Sequence, residues 1–480
     1  MRRQTRRVGG VSGALLLVAV LCAGCHQDDE AGNQPEVHRP GPATLLGDIH
    51  PGSEGSRPDD LTVFNERVYF SADDGVHGRE LWVTDGTPAG TNLVVDITPG
   101  MPSSNPWLLT VHQGRLYFRA NDGIHGEELW VSDGTAEGTR LFFDTVLGAD
   151  GGDPTELASA GGLLYFTLNR SATNPWRSDG TTEGTFPLLS LGSGESHAST
   201  ANFAFAPSLN TVFFTRAVKL DSADPECCSR QELWRTNGTR GGTTRVMAFP
   251  RQRGTYIIDW IGYLTELPPR LLLFETEDLW ATDGTTDGTQ LLKTGFMFFG
   301  GSHASYGRGI GPPTVFGGKL LFAAVPAGQF RRELWSSDGT SEGTERVSAL
   351  DLGGWGSESM LVPMGGRLYL LAVDAQQQGG LFRLSAAEPS TSLERVATLE
   401  TGIGSSLFWP GEMVTTGNGL LFGIDDEREL WWSDGTSDGT LRLGSFYPQG
   451  PFQLTVLGRR VLFRASTDLD DIELWSVSLD

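Results

Sequence analysis

RELWVTDGTPAGT, residues 79–91, gathers a Trp, two acidic side chains, two glycines and three hydroxyls in thirteen positions. Such a cluster reads equally well as a piece of an active site or as a hairpin. Its copies decide between the two. EELWVSDGTAEGT follows at 127–139, NPWRSDGTTEGT at 174–185, QELWRTNGTRGGT at 231–243, EDLWATDGTTDGT at 277–289, RELWSSDGTSEGT at 332–344 and RELWWSDGTSDGT at 428–440. A worn copy, GGLFRLSAAEPST, occupies 379–391, and IELWSVSLD ends the chain. Trp82, Trp130, Trp176, Trp234, Trp280, Trp335, Phe382, Trp431 and Trp475 thus mark nine units, spaced 44 to 58 residues apart. A catalytic constellation has no use for nine copies, whereas a hairpin in a stacked repeat does.

Unit one divides into four short apolar runs, LTVF, RVYFSA, ELWVTD and NLVVDI, separated by turn-formers such as Asp73-Asp74-Gly75 and Asp85-Gly86. The second run recurs as LYF, VFF, LLLF, LLF or VLF with no polar alternation, so both of its faces must be covered. Short strands stacked face to face around an axis describe an all-β fold, a β-propeller of about nine four-stranded blades. Propellers usually have roughly four to eight blades, which keeps eight as the runner-up. The ends sharpen the reading. LLGDIHPG at 45–52 matches LVVDITPG at 93–100, and Asp48 precedes Phe70 by the same 22 positions that separate Asp96 from Phe118. The chain therefore opens on a fourth strand without its first three and closes on a third strand without its fourth. Pairing the N-terminal strand with the C-terminal blade would close the ring and leave no open edge.

Within the motif, Leu81 and Trp82 fall on opposite faces of one strand, and the Trp brings a large apolar area to a blade contact. Asp85, and its counterparts Asp133, Asp179, Asp283, Asp338 and Asp434, can cap a turn by accepting backbone N–H groups, while the following Gly takes the positive φ. Calcium held by this ring of aspartates is the functional alternative. No D-x-D-x-D-G loop with a closing Glu supports it, so no metal, cofactor or catalytic residue is assigned.

The repeated E-L-W-x-x-D-G-T-x-x-G-T resembles the signature of the ELWxxDGT-repeat proteins, also called hyalin-like, which are bacterial secreted and surface proteins. The resemblance spans residues 43–480, with departures at Asn174-Pro175, Asn237 and Asp278 and through most of unit seven. It implies a place in the cell envelope and carries no activity. The leader agrees. MRRQTRRVGGVSGALLLVAVLCAGC reads as an export signal, and Cys22-Ala23-Gly24-Cys25 resembles the bacterial lipoprotein box. That resemblance implies a signal peptide at 1–24, lipid on Cys25, a polar tether over 25–42 and a membrane partner through the lipid, in an outer-membrane lipoprotein facing the periplasm or the surface. Cys22 stands where Leu is usual, so a plain secretory signal and a secreted product remain the alternative. Cys227-Cys228 is left as a vicinal disulfide, two thiols or a cross-link to another chain.

A formal charge of −23 argues against nucleic acid as a partner. The loops ahead of the E-L-W strands vary in length, and binding surfaces are often built from variable loops on a rigid scaffold. The expanded stretch 295–313 mixes Phe296, Phe298, His303, Tyr306 and Arg308 as a binding patch would, against the plainer reading of a long loop with tucked aromatics. His77 and His125 each sit beside carboxylates in D-G-V-H and D-G-I-H turns, where a polar turn is the plainer reading. G-x-S-x-G arises only at 339–343 and 435–439, inside two copies of the repeated motif, and no H-E-x-x-H or phosphate loop occurs. These features point to a binding scaffold for a protein, glycan or surface polymer without catalysis. The alternative is a propeller enzyme acting on glycans or small molecules at acidic residues around the central channel.

Overall fold

The computed structural model describes residues 39–169, 175–190, 195–220, 229–249, 261–275, 277–297, 312–329, 331–348, 350–352, 361–376, 378–385, 393–399, 410–424, 428–466, 468 and 471–479. The leader, Cys25, most of the tether, Cys227, Cys228, Phe298, His303, Tyr306 and Arg308 lie outside them. The apolar runs of unit one become strands Asp59–Phe64, Arg67–Asp73, Arg79–Thr84 and Asn92–Val95, hydrogen-bonded in that order as an antiparallel sheet. Eight more antiparallel sheets follow, seven of them on the same four-stranded plan, so the fold is a nine-bladed β-propeller. The ninth blade consists of Phe452–Leu457, Arg460–Ser466, Ile472–Ser478 and then Thr44–Leu45 from the other end of the chain. The ring closes as the end-to-end repeat phase predicts.

First strands of neighbouring blades touch one another from blade 1 to blade 5 and from blade 7 through blade 9 back to blade 1, and so they form the innermost ring. Blade 6 departs from the plan. Its innermost place is shared by Phe296–Met297 and Thr314–Phe316, both paired to Lys319–Pro326. Second strands are covered on both faces, as their unbroken apolar runs demand: Val68, Tyr69, Phe70, Ser71 and Ala72 are all buried. The cores lie between blades. Leu81 and Val83 of blade 1 share one cluster with Leu116, Phe118 and Trp130 of blade 2.

Two recurrent devices lock this packing. Leu81 faces Val95 while Trp82 faces Leu93, so Val94 is an extra residue, a β-bulge on the outer strand. The same shift inserts Phe142, Val246, Leu292, Val347, Val396 and Leu443. The second device is an apolar plug. At several junctions the chain leaving an outer strand presents a side chain to the next blade's aromatic marker: Phe249 meets Trp280 at 5.2 Å, Phe296 meets Trp335 at 4.9 Å and Phe446 meets Trp475 at 5.3 Å between ring centroids. Ile97 serves Trp130 and Leu399 serves Trp431 in the same way. Phe296 is therefore corrected from binding-loop candidate to core residue, 2% exposed and wedged also against Phe322. The sequence invited the error because the plug of blade 5 stands at the start of a long connection.

Candidate functional site

Chain direction sorts the turns onto two rims. First strands begin and second strands end at the rim that carries the blade-to-blade connections and the loops ahead of the E-L-W strands. The D-G-T turns occupy the opposite rim, and there the motif hydroxyls and the Asp Oδ1 are engaged within the turn itself. Thr87 donates its N–H at 2.9 Å and its hydroxyl at 2.6 Å to Asp85 Oδ1, while Gly90 N–H donates to Thr87 Oγ1 at 3.1 Å. Thr84 and Thr91 join hydroxyls across the hairpin at 2.8 Å, and Gly86 adopts φ +85°. A Cβ on Gly90 would lie 2.0 Å from Asp85 Oδ1, which explains the second glycine of the motif. Asp133, Asp179, Asp283, Asp338 and Asp434 repeat the arrangement, and Asn237 performs it with an amide oxygen. Hydroxyl donation from the threonine holds Asp85, Asp133, Asp179, Asp283 and Asp338 below the usual carboxylate range. Among the described residues no group of three or more His, Cys, Asp or Glu is placed to hold a metal ion.

On the variable rim the first residue of E-L-W sets the backbone. Glu80 is fully buried and accepts N–H groups from Ile97 at 3.1 Å and Ser104 at 2.9 Å, clamping the connection to blade 2. Glu128 holds Thr145, Val146 and Gly152 likewise, and Glu473 holds Ile49, His50 and Ser56. Burial raises Glu80 and Glu473 above the usual range, against these same hydrogen bonds. Where the outer strand places Arg opposite the Trp, the Glu turns to it instead: Glu232 to Arg245 at 2.8 Å and Glu333 to Arg346 at 3.3 Å. Glu429 pairs with Arg442 and accepts from the Trp431 indole. This role was readable in the alternation of Leu and Arg at the outer-strand position, a signal the motif reading passed over.

His77 and His125 sit in two copies of one turn. Asp74 accepts N–H groups from Val76 at 2.9 Å and His77 at 2.8 Å, and its other oxygen meets His77 Nδ1 at 2.7 Å. Asp122 does the same for Ile124 and His125. Hydrogen bonding to these carboxylates raises both histidines. Each imidazole thus serves its own turn, and the two are not brought into one ligand set. Their partners do mount Val76 and Ile124 rigidly at the loop tips, 62% and 67% exposed.

Around the channel, polar side chains of the first strands reach from blade to blade. Asp60 accepts Leu109 N–H at 2.7 Å, Glu156 accepts Asn202 N–H at 2.8 Å and Glu412 accepts Leu454 N–H at 2.7 Å. Asp60, Leu108, Asn202, Tyr263 and Gln453 all adopt positive φ at inner-strand bulges, where the ladder opens to permit this reach. Burial pushes the Asp60 carboxyl up to about 6, against the Leu109 bond and with the Asp59 charge adding to it. At the mouth of this seam Asp59 meets Gln453 and lies 3.3 Å from Arg464, whose buried Nε has no hydrogen-bond partner among the described residues. Next to it Trp107, 43% exposed, lies under the Arg119 guanidinium at 5.2 Å, and Arg119 is tied to Asp153 of blade 3 at 2.6 Å. Sequence reasoning missed Asp59, Asp60 and Trp107, because nothing in a repeat pattern marks which strand residues face the axis.

No family model and no curated protein matches the chain. Among solved structures it is similar to puromycin hydrolase, at 13% identity and a TM-score of 0.40, over 75% of this chain and 59% of that one. It is similar to an oligogalacturonate lyase in complex with manganese, at 11% identity and a TM-score of 0.40, over 89% and 98% of the two chains. A eukaryotic initiation factor aligns at 9% identity and a TM-score of 0.44, over 87% and 90%. The chain spans about three fifths of the length of puromycin hydrolase.

Proposed function

We propose that this protein is a lipid-anchored, extracytoplasmic binding scaffold that presents its variable rim to a glycan, protein or surface polymer and does not transform it. The anchor and compartment are read from the leader, with lipid on Cys25, and from the resemblance to the ELWxxDGT-repeat family. The observation that carries the binding role is the exposure of Val76, Met101, Trp107, Ile124, Leu147 and Tyr447 on the rim where repeats diverge. Exposed apolar side chains that gather into a contiguous patch mark interaction surfaces. Retention of defined glycans and of a cell-surface polymer fraction by immobilised protein, with and without calcium, tests the reading. Retention that Trp107→Ala or Val76→Ser weakens is expected; turnover of a retained glycan overturns it.

A second reading has one observation in its favour. Asp59, next to Asp60 in sequence, lies 3.3 Å from Arg464, and burial pushes the Asp60 carboxyl up to about 6, a range in which a carboxyl can exchange a proton during catalysis. Glycan turnover abolished by Asp60→Asn would select that reading.

A further inference from the structure

We infer that a belt across blades 1 to 3 of the variable rim, carrying Val76, Met101, Ile124 and Leu147, is the docking surface for a cationic polypeptide segment with aliphatic side chains. The inference deepens the binding reading above and rests on it.

The belt is continuous. A Cβ on Gly75 would meet His50 Nε2 at 2.7 Å, and one on Gly78 would meet the Met101 carbonyl at 2.6 Å. The Thr98 methyl lies 3.7 Å from the same point on Gly123, and the Ala149 carbonyl 2.7 Å from that on Gly126. Connections and loops therefore interlock in sequence around the rim, from His50 through 75–78, 98–103 and 123–126 to 149–151. Along this run Met101 and Leu147 are 77% and 89% exposed. The turns do not ask for this. Asp74, Gly75, His77 and Gly78 supply the geometry of the first loop, and residue 76 contributes only its N–H. Its copy at 122–126 makes the same demands, yet both tips carry a β-branched aliphatic side chain in water. Because each tip stands on a hydrogen-bonded turn, little ordering entropy is lost when a partner covers it.

Charge chooses the occupant. Asp73, Asp96 and Asp144 lie along the belt, partly exposed, while Asp74 and Asp122 are already paired with His77 and His125, in a protein of net charge −23. A segment bearing Lys or Arg beside Leu or Ile would satisfy both the carboxylates and the aliphatic tips. A lipid surface fits less well, because the carboxylates would be pressed against phosphate-bearing headgroups.

The test uses the full chain carrying Cys25→Ser, which cannot be lipidated at that position. The probe is a synthetic Lys/Leu amphipathic peptide, with a Glu/Leu peptide of equal length as control. The Lys/Leu peptide is expected to bind, and Val76→Ser with Ile124→Ser to weaken it at least about ten-fold while the melting temperature is unchanged. Absence of binding, equal binding of the Glu/Leu peptide or indifference to the double substitution would each overturn the inference. Retention on immobilised phosphatidylcholine that the double substitution abolishes would assign the belt to lipid and overturn it too. If glycan retention sensitive to Trp107→Ala persists through any of these outcomes, only the peptide partner fails and the binding scaffold stands.

Discussion

The backbone of Leu45 pairs with that of Trp475, so the last blade takes its outer strand from the beginning of the chain. The pairing brings more than two strand residues. Leu46 is buried against Val68 and Phe70 of blade 1, and Ile49 and His50 reach the buried Glu473 carboxylate. Deleting residues 43–52 removes all of this and exposes a strand edge. A loss of at least about 3 kcal/mol is expected from the Leu46 burial alone. Chemical denaturation of the deleted and intact chains checks it, and equal midpoints would refute the closure.

Phe296 gives a test of the plug. As a core wedge between Phe322 and Trp335, its replacement by Ala should cost about 3–5 kcal/mol. The folded variant should still bind any rim ligand with unchanged affinity. A stable Phe296→Ala protein with weakened binding would return this residue to the binding surface.

The D-G-T turn makes a paired prediction. Asn237 already does in blade 4 what Asp85 does in blade 1, so Asp85→Asn should alter stability by less than about 0.5 kcal/mol. Gly90→Ala drives a methyl into the Asp85 carboxylate and should cost about 1–3 kcal/mol. Thermal or urea unfolding of the two variants, repeated with calcium, separates a structural turn from a calcium site. Calcium stabilisation that Asp85→Asn abolishes would favour the metal.

Asp60 predicts a pH dependence of defined sign. Its folded pKa, about 6, lies above the ordinary value of 3.8, so the folded chain binds this proton more tightly than the unfolded one. Its contribution to stability is complete below pH 4 and is lost as the pH rises through 6, a change on the order of 2–3 kcal/mol. Asp60→Asn retains an oxygen for Leu109 N–H and removes the titration. The difference in unfolding free energy between wild type and variant should therefore move in the variant's favour from pH 4 to pH 7. A difference that stays flat across that range contradicts the buried state of Asp60.

The architecture was legible because Trp82 and its counterparts recur and because Asp48 and Asp96 stand in the same phase to the strands that follow. The turn chemistry was legible because Asp-Gly-Thr has few ways to reverse a strand. Other features were hidden for physical reasons. The plug role of Phe296 depends on which blade follows in space, and the extra residue Val94 changes strand register without changing composition. The partners of Glu80 follow from what its carboxylate reaches across the connection, and only the Leu opposite Trp82, where other blades carry Arg, marks that choice in the sequence. The channel residues Asp60 and Trp107 are set by inner-strand bulges, which leave no periodic mark. The stretch 295–313 misled because aromatic content alone does not separate a plug from a ligand contact.

The claim that one rim is architecture and the other binds is tested most directly by hydrogen–deuterium exchange, with and without a retained glycan or surface polymer. Added protection is expected at 73–78, 98–107 and 121–126, with the D-G-T turns at 85–91 and 133–139 unchanged. Protection gained at those turns, with the variable rim unchanged, would contradict it.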